Sequence, residues 1–146
     1  MRALLDANLF ISYLLSATPV TSAMGAILAA GAAERFVLLF TPGVADETVC
    51  KVAERTDLAA RITAADVAAL LADLAGIAEP VPPLTGPFAA ICRDHKDDYL
   101  IAHAQASNAD FLISWDKDLR DLQHVDELRI VSPPELLRAP REAGIL

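Results

Sequence analysis

The chain has 146 residues, of which 54% are hydrophobic, with a mean hydropathy of +0.38 and a formal net charge of −8. That length suits one domain, able to bury roughly 70% of its unfolded surface, and that hydrophobicity excludes a disordered chain. The acidic balance excludes a broadly basic nucleic-acid coating protein, so any nucleic-acid role must rest on local basic patches or bound metal.

Aromatic residues make up only 5%, so the core must be built mainly of Ala, Leu, Val and Ile, packed closely around a small sheet. The opening MRALLDANLFISYLLSA places Arg2 ahead of an apolar stretch, as a signal peptide would, but Asp6 and Asn8 interrupt it. No run approaches the roughly 18 apolar residues of a membrane span. Cys50 and Cys92 are far apart, fit no metal-ligand pattern, and read as reduced intracellular thiols. The chain reads as cytoplasmic, with no membrane role.

Arg2 to Leu5 is a short apolar run, predicted as a buried strand that stops at Asp6. Leu9 to Leu15 and the Ala-rich Thr21 to Ala33 read as helices, the second with small residues that allow close approach to a neighbour. RFVLLFT, Arg35 to Thr41, is a continuous apolar run typical of a strand covered on both faces. Pro42 suits the first turn of a helix predicted to run through Glu47, Lys51 and Arg55. Thr63, three residues before Asp66, signals the start of another helix, with a stop at Gly76. AEPVPPLTGP, with four of the nine prolines, reads as a connection within one domain over 1–146. A helix is predicted from near Asp97 to about Ser107, then a strand in ADFLIS ended by Asp116, a short helix in KDLRDL, a last strand in LRIVS and a final helix from PPELLR.

Strands alternating with helices imply a three-layer α/β/α fold with a central parallel sheet. Sites in such sheets form at the carboxyl ends of strands. Asp6 and Asp116, each at the end of a buried strand, are therefore the first candidates. Glu47 and Asp98, the latter at a helix start, complete an acidic constellation, with Asp46, Asp97 and Asp118 as close neighbours.

Convergent carboxylates suit Mg²⁺ or Mn²⁺, hard ions that prefer oxygen ligands. Without a metal, such a cluster repels itself and at least one carboxyl pKa should rise. Singly, each acid also has a plain structural reading. Asp6 and Asp116 suit caps, Asp97 suits a cap for the helix it precedes, Asp94 belongs to the turn, and Glu47 suits a pair with Lys51 four residues on. Asn8 reads as a cap or as a donor to Asp6, and Ser114 as strand filler or a donor behind the acids. His95, His103 and His124 form no HxxxH pair, and no GxSxG or Gly-rich phosphate loop is present.

LLDANLFISYLL, DETVCKVAER, RDHKDDYLIAHA, ADFLISWDKDL and IVSPPELL occur in the order and spacing of a PIN domain. The chain most resembles the branch of toxin components of toxin–antitoxin systems, the VapC-like ribonucleases. The resemblance implies a parallel sheet flanked by helices and an Mg²⁺- or Mn²⁺-dependent ribonuclease. Its four acids match Asp6, Glu47, Asp98 and Asp116, with Ser114 at the hydroxyl position. In that reading Asp6, Asp98 and Asp116 hold metal, Glu47 ligates or orients water, and Asn8, Ser114 and Asp97 support them. Lys51, Arg55, Arg93, Lys96 and Lys117, with Arg120, would contact RNA phosphates. The resemblance also implies an antitoxin partner and a homodimer. His95 stands where the branch often has Pro, which implies a looser turn. Trp115 stands where a small or basic residue is common, and would stack on a base or simply pack.

Three rivals compete. A haloacid-dehalogenase-type phosphatase needs a second Asp two residues after Asp6, where this chain has Asn8. A phosphoacceptor receiver domain needs an acidic pair after its first strand. A non-catalytic RNA- or protein-binding module needs none of the acids that are retained.

Overall fold

A computed structural model describes residues 1–142 of the chain. In chain order the elements are β1 (Arg2–Leu5), α1 (Ala7–Leu15), α2 (Ala23–Ala32), β2 (Val37–Phe40), α3 (Pro42–Glu54), α4 (Thr56–Ala59), α5 (Ala64–Ile77), β3 (Ala78–Pro80), α6 (Asp98–Ala106), β4 (Phe111–Ile113), α7 (Lys117–Arg120), β5 (His124–Val125), β6 (Leu128–Val131) and α8 (Pro133–Glu142). Short 3₁₀ turns at Pro19–Thr21 and His95–Asp97 precede α2 and α6.

The six strands form one sheet in the order β3-β2-β1-β4-β6-β5. All pairings are parallel except β5 with β6. The central strands are short and apolar because helices flank the sheet. Leu4, Leu5, Leu38, Leu39, Leu112 and Ile113 are almost wholly excluded from solvent. Burying each such side chain stabilises by about 1.5–3 kcal/mol. Gly31 of α2 shows why small residues recur in that helix. A Cβ there would meet Leu38 Cδ1 of β2 at 2.5 Å, so only glycine permits this approach. A second, smaller cluster gathers Val52, Leu58, Ile62 and Val67 under α3, α4 and α5. Among the described residues no helix is long and apolar enough to cross a membrane.

Local chemistry explains the element ends. Ser22 caps α2 by accepting from Gly25 N, and Thr41 caps α3 by accepting from Val44 N with Pro42 in the first turn. Thr63 and Asp66 form the reciprocal capping box of α5. Four details differ from the expectations. The first helix starts at Ala7 because Asp6 itself is the cap. Gly76 does not stop α5, which runs to Ile77 and passes straight into β3. That strand lies in the expected connection, where Pro80 is tolerated because β3 pairs on one side only, with β2. Finally, α3 ends at Glu54, and Arg55 turns into extended geometry to pair with Asp57.

The β1–β4 register sets Leu5 against Ile113. The next residues, Asp6 and Ser114, therefore leave the sheet side by side. The chain runs outward in opposite directions from this β1–β4 pair, which is where such sheets open a crevice.

Candidate active site

Asp6 sits at the carboxyl end of β1, only 6% exposed. Its Oδ1 accepts from the N–H of Ala7 at 2.7 Å, and its Oδ2 accepts from Ser114 Oγ at 2.7 Å. The Ser114 hydroxyl, fully buried, also accepts from Asn8 Nδ2 at 3.2 Å and from the N–H of Asp116 at 2.9 Å. One donor and two acceptor sites exhaust a hydroxyl. Ser114 thus ties Asp6 to Asn8 and to the backbone of Asp116. Asn8 does not bond to Asp6 directly; its Oδ1 instead accepts from Trp115 N at 3.2 Å. Asp116 caps α7, accepting from Asp118 N at 2.9 Å.

Glu47, on α3, accepts from Lys51 Nζ at 2.8 Å and from the Tyr99 hydroxyl at 3.0 Å. Its pairing with Lys51 is therefore real, and it coexists with a position facing Asp6. Burial works against the charged Lys51, yet the hydrogen bond and charge of Glu47, with Asp6 and Asp97 beyond, raise its pKa. Tyr99 is pushed up by burial and by Glu47.

The two adjacent acids Asp97 and Asp98 have opposite environments. Asp98 is buried, and its Oδ1 accepts from the N–H groups of Cys92 at 2.7 Å and Ile91 at 3.1 Å. Its Oδ2 lies 3.0 Å from His95 Nδ1. These bonds, that of Cys92 foremost, hold its pKa at about 2. The turn at His95 is fastened to Asp98 by this contact and by Asp94, which accepts from Lys96 N at 3.0 Å. Asp97 precedes α6 but makes no capping hydrogen bond with its side chain. Burial foremost, together with the charges of Asp6, Asp116, Asp94 and Glu47, raises its pKa to about 6. Burial also raises Asp6, as does the charge of Glu47.

Asp6 is thus raised in part by Glu47, and Asp97 by Asp6, Asp116, Asp94 and Glu47, while Asp98 is turned toward the 91–92 loop. The contrast between the two acids follows from contacts several residues away in sequence: the N–H groups of Ile91 and Cys92 donate to Asp98. Tyr99, as the partner of Glu47, had no signal in the sequence. Among the described residues no three His, Cys, Asp or Glu side chains stand close enough to form a ready-made metal cage. The donor set nonetheless fits a hard divalent ion, being all oxygen, negatively charged, and balanced by one nearby cation, Lys51.

The expected phosphate-binding cations are mostly engaged. Arg93 approaches Asp118 at 3.4 Å, Lys117 approaches Asp121 at 2.9 Å, and Arg55 approaches Asp57 at 2.9 Å. Arg120 donates to Trp115 O at 3.4 Å. Lys96 is exposed on the turn beside the acids.

No curated protein matches the chain. The sequence profile of the PIN domain matches residues 2–118, which reach from β1 through Asp6, Glu47, Asp97, Asp98 and Asp116 into α7. PIN domains are generally nucleases. With that match over most of its length and a mostly parallel sheet flanked by helices, the chain belongs to the PIN domain family.

Proposed function

We propose that the chain, read as one nuclease domain over 1–146, is a ribonuclease dependent on Mg²⁺ or Mn²⁺. The observation that carries this reading is the gathering of Glu47 and Asp97 around Asp6 and Asp116 at the ends of β1 and β4, where burial and neighbouring carboxylate charge raise the pKa of both Asp6 and Asp97. A cluster that is costly when empty is suited to hold a cation.

In this reading Asp6, Asp97 and Asp116 hold the ion, and Asp97 takes the role that the resemblance gave to Asp98. Those residues would hold the ion, which when bound would supply activation of a water and stabilisation of charge on the scissile phosphate. Glu47, held by Tyr99 and Lys51, orients the attacking water. Ser114 and Asn8 keep Asp6 and the Asp116 backbone in register. Lys51, beside Glu47, is the cation best set to meet a phosphate. The toxin role in a toxin–antitoxin pair, acting in the cytoplasm as a homodimer, rests on the motif resemblance. Growth arrest on expression, relieved by a neighbouring small reading frame, would test it.

The test of the enzymatic reading is RNA cleavage titrated with Mn²⁺, with Asp6→Asn as control. Cleavage should require metal and disappear in Asp6→Asn while its circular dichroism is retained. Full activity in that variant would refute the assignment. Binding of RNA with no cleavage at any metal concentration would favour the non-catalytic module.

A further inference from the structure

A groove of about 610 Å³ lies beside the acids, between α1, α3 and the β4–α7 connection. Ile11, Ser12, Leu15 and Ser16 at α1 line it together with Asn8, Lys51, Arg55 and Trp115. Two cations and no carboxylate line it among the described residues, in a chain whose net charge is −8. Lys51 pairs with Glu47 and Arg55 with Asp57, carboxylates that do not themselves line the groove, so a phosphate bound there would compete with them. Trp115 is one of the few large apolar side chains left exposed, at 39%. Its backbone is not free: Trp115 N donates to Asn8 Oδ1 and its carbonyl accepts from Arg120. The indole is thus presented from a fixed base between Ser114 and Asp116.

We infer that this groove is a subsite for one unpaired nucleotide of the RNA, next to the phosphate that is cut, with its base stacked on Trp115 and its phosphate on Lys51 and Arg55. The inference rests on the ribonuclease reading above. Three features select a single strand. A flat exposed aromatic face offers stacking to any base, but only where bases are not already stacked in a helix. Lys51 and Arg55, which line the same groove, suit a backbone phosphate. The apolar part is limited to two aliphatic side chains and one indole, far below the roughly 20–30 residues a side of a stable protein interface. A groove of this volume falls within the roughly 300–1,000 Å³ of small-ligand sites.

Trp115 is the only tryptophan, so fluorescence excited selectively at tryptophan, clear of Tyr13 and Tyr99, reports this side chain alone. In EDTA, which prevents cleavage, an unstructured oligouridylate of eight nucleotides should quench it saturably, with affinity falling steeply as salt rises. The same length of RNA in a duplex should quench little. Trp115→Leu should weaken binding of the labelled oligomer, read by anisotropy, by about 5- to 150-fold, and Trp115→Phe by less. Arg55→Ala should flatten the salt dependence. Quenching without cleavage in Mn²⁺ would uphold the groove while removing the nuclease reading. Mn²⁺-dependent cleavage with no quenching, and no effect of Trp115→Leu on binding, would overturn the groove and leave the nuclease. Quenching by an apolar helical peptide but not by RNA would also overturn it, in favour of a protein-docking face.

Discussion

The backbone N–H of Cys92 donates to the buried carboxylate of Asp98 at 2.7 Å, so the second acid of the Asp97–Asp98 pair fastens a loop. Ile91 N and His95 Nδ1 complete the latch. Asp98→Ala should therefore lower the melting temperature by several degrees, since it leaves two backbone donors without their acceptor. The latch also has a defined pH window. Its folded pKa of about 2 lies below the ordinary 3.8, so its contribution is complete above the ordinary value and is lost as pH falls through about 2. Acid unfolding followed by circular dichroism should begin earlier in Asp98→Ala. An unchanged acid limb would mean that the latch carries no stability.

Asp97 works in the opposite sense. Its folded pKa, about 6, lies above the ordinary 3.8, so between those values the folded chain keeps a proton that the unfolded chain has lost. Stability should fall as pH rises through this window, and the loss is complete above about 6. Metal-free protein in EDTA should therefore melt at a lower temperature at pH 7.5 than at pH 5, insofar as Asp97 dominates. Asp97→Asn should flatten that slope and melt higher than the parent at pH 7.5. A variant that melts lower than the parent there would show that Asp97 is not under repulsion.

Ser114 is the joint between two strand ends. Ser114→Ala removes the donor to Asp6 and the acceptor of the Asn8 and Asp116 nitrogens together. Leaving buried polar groups unpaired costs on the order of 1–3 kcal/mol. Urea unfolding should show a loss of that size. Metal affinity should fall by about 10- to 100-fold, the usual effect of removing a group that orients a ligand. Loss of stability with metal affinity intact would reduce Ser114 to strand packing.

Most of the frame is legible in the residues because it depends on local rules. LLD and FLIS are apolar runs closed by a polar residue, so β1 and β4 could be placed, although β4 ends at Ile113 and Ser114, read as part of the strand, already leaves it. Thr63 with Asp66 announces α5 through a cap, and Pro42 announces α3. The elements that escaped depend on partners far away. Ala78–Pro80 has two exposed residues and a proline, and becomes a strand only because β2 offers an open edge. His124–Val125 is a strand by virtue of pairing back on Leu128–Arg129, with Asp126 in left-handed geometry at the turn. The same limit applies to the site. Four acids and their order were readable, but which of Asp97 and Asp98 faces Asp6 is decided by two backbone N–H groups at positions 91 and 92. The apolar anchors Leu100 and Ile101, both fully buried, hold α6 in place without distinguishing the two.

The most direct test of the site is Mn²⁺ binding to metal-free protein by calorimetry, with Asp97→Asn and Asp98→Asn compared at a temperature where both are folded. The parent should bind, Asp97→Asn should lose at least about tenfold in affinity, and Asp98→Asn should remain close to the parent. Loss in Asp98→Asn with retention in Asp97→Asn, or no binding by the parent at millimolar Mn²⁺, would contradict the account.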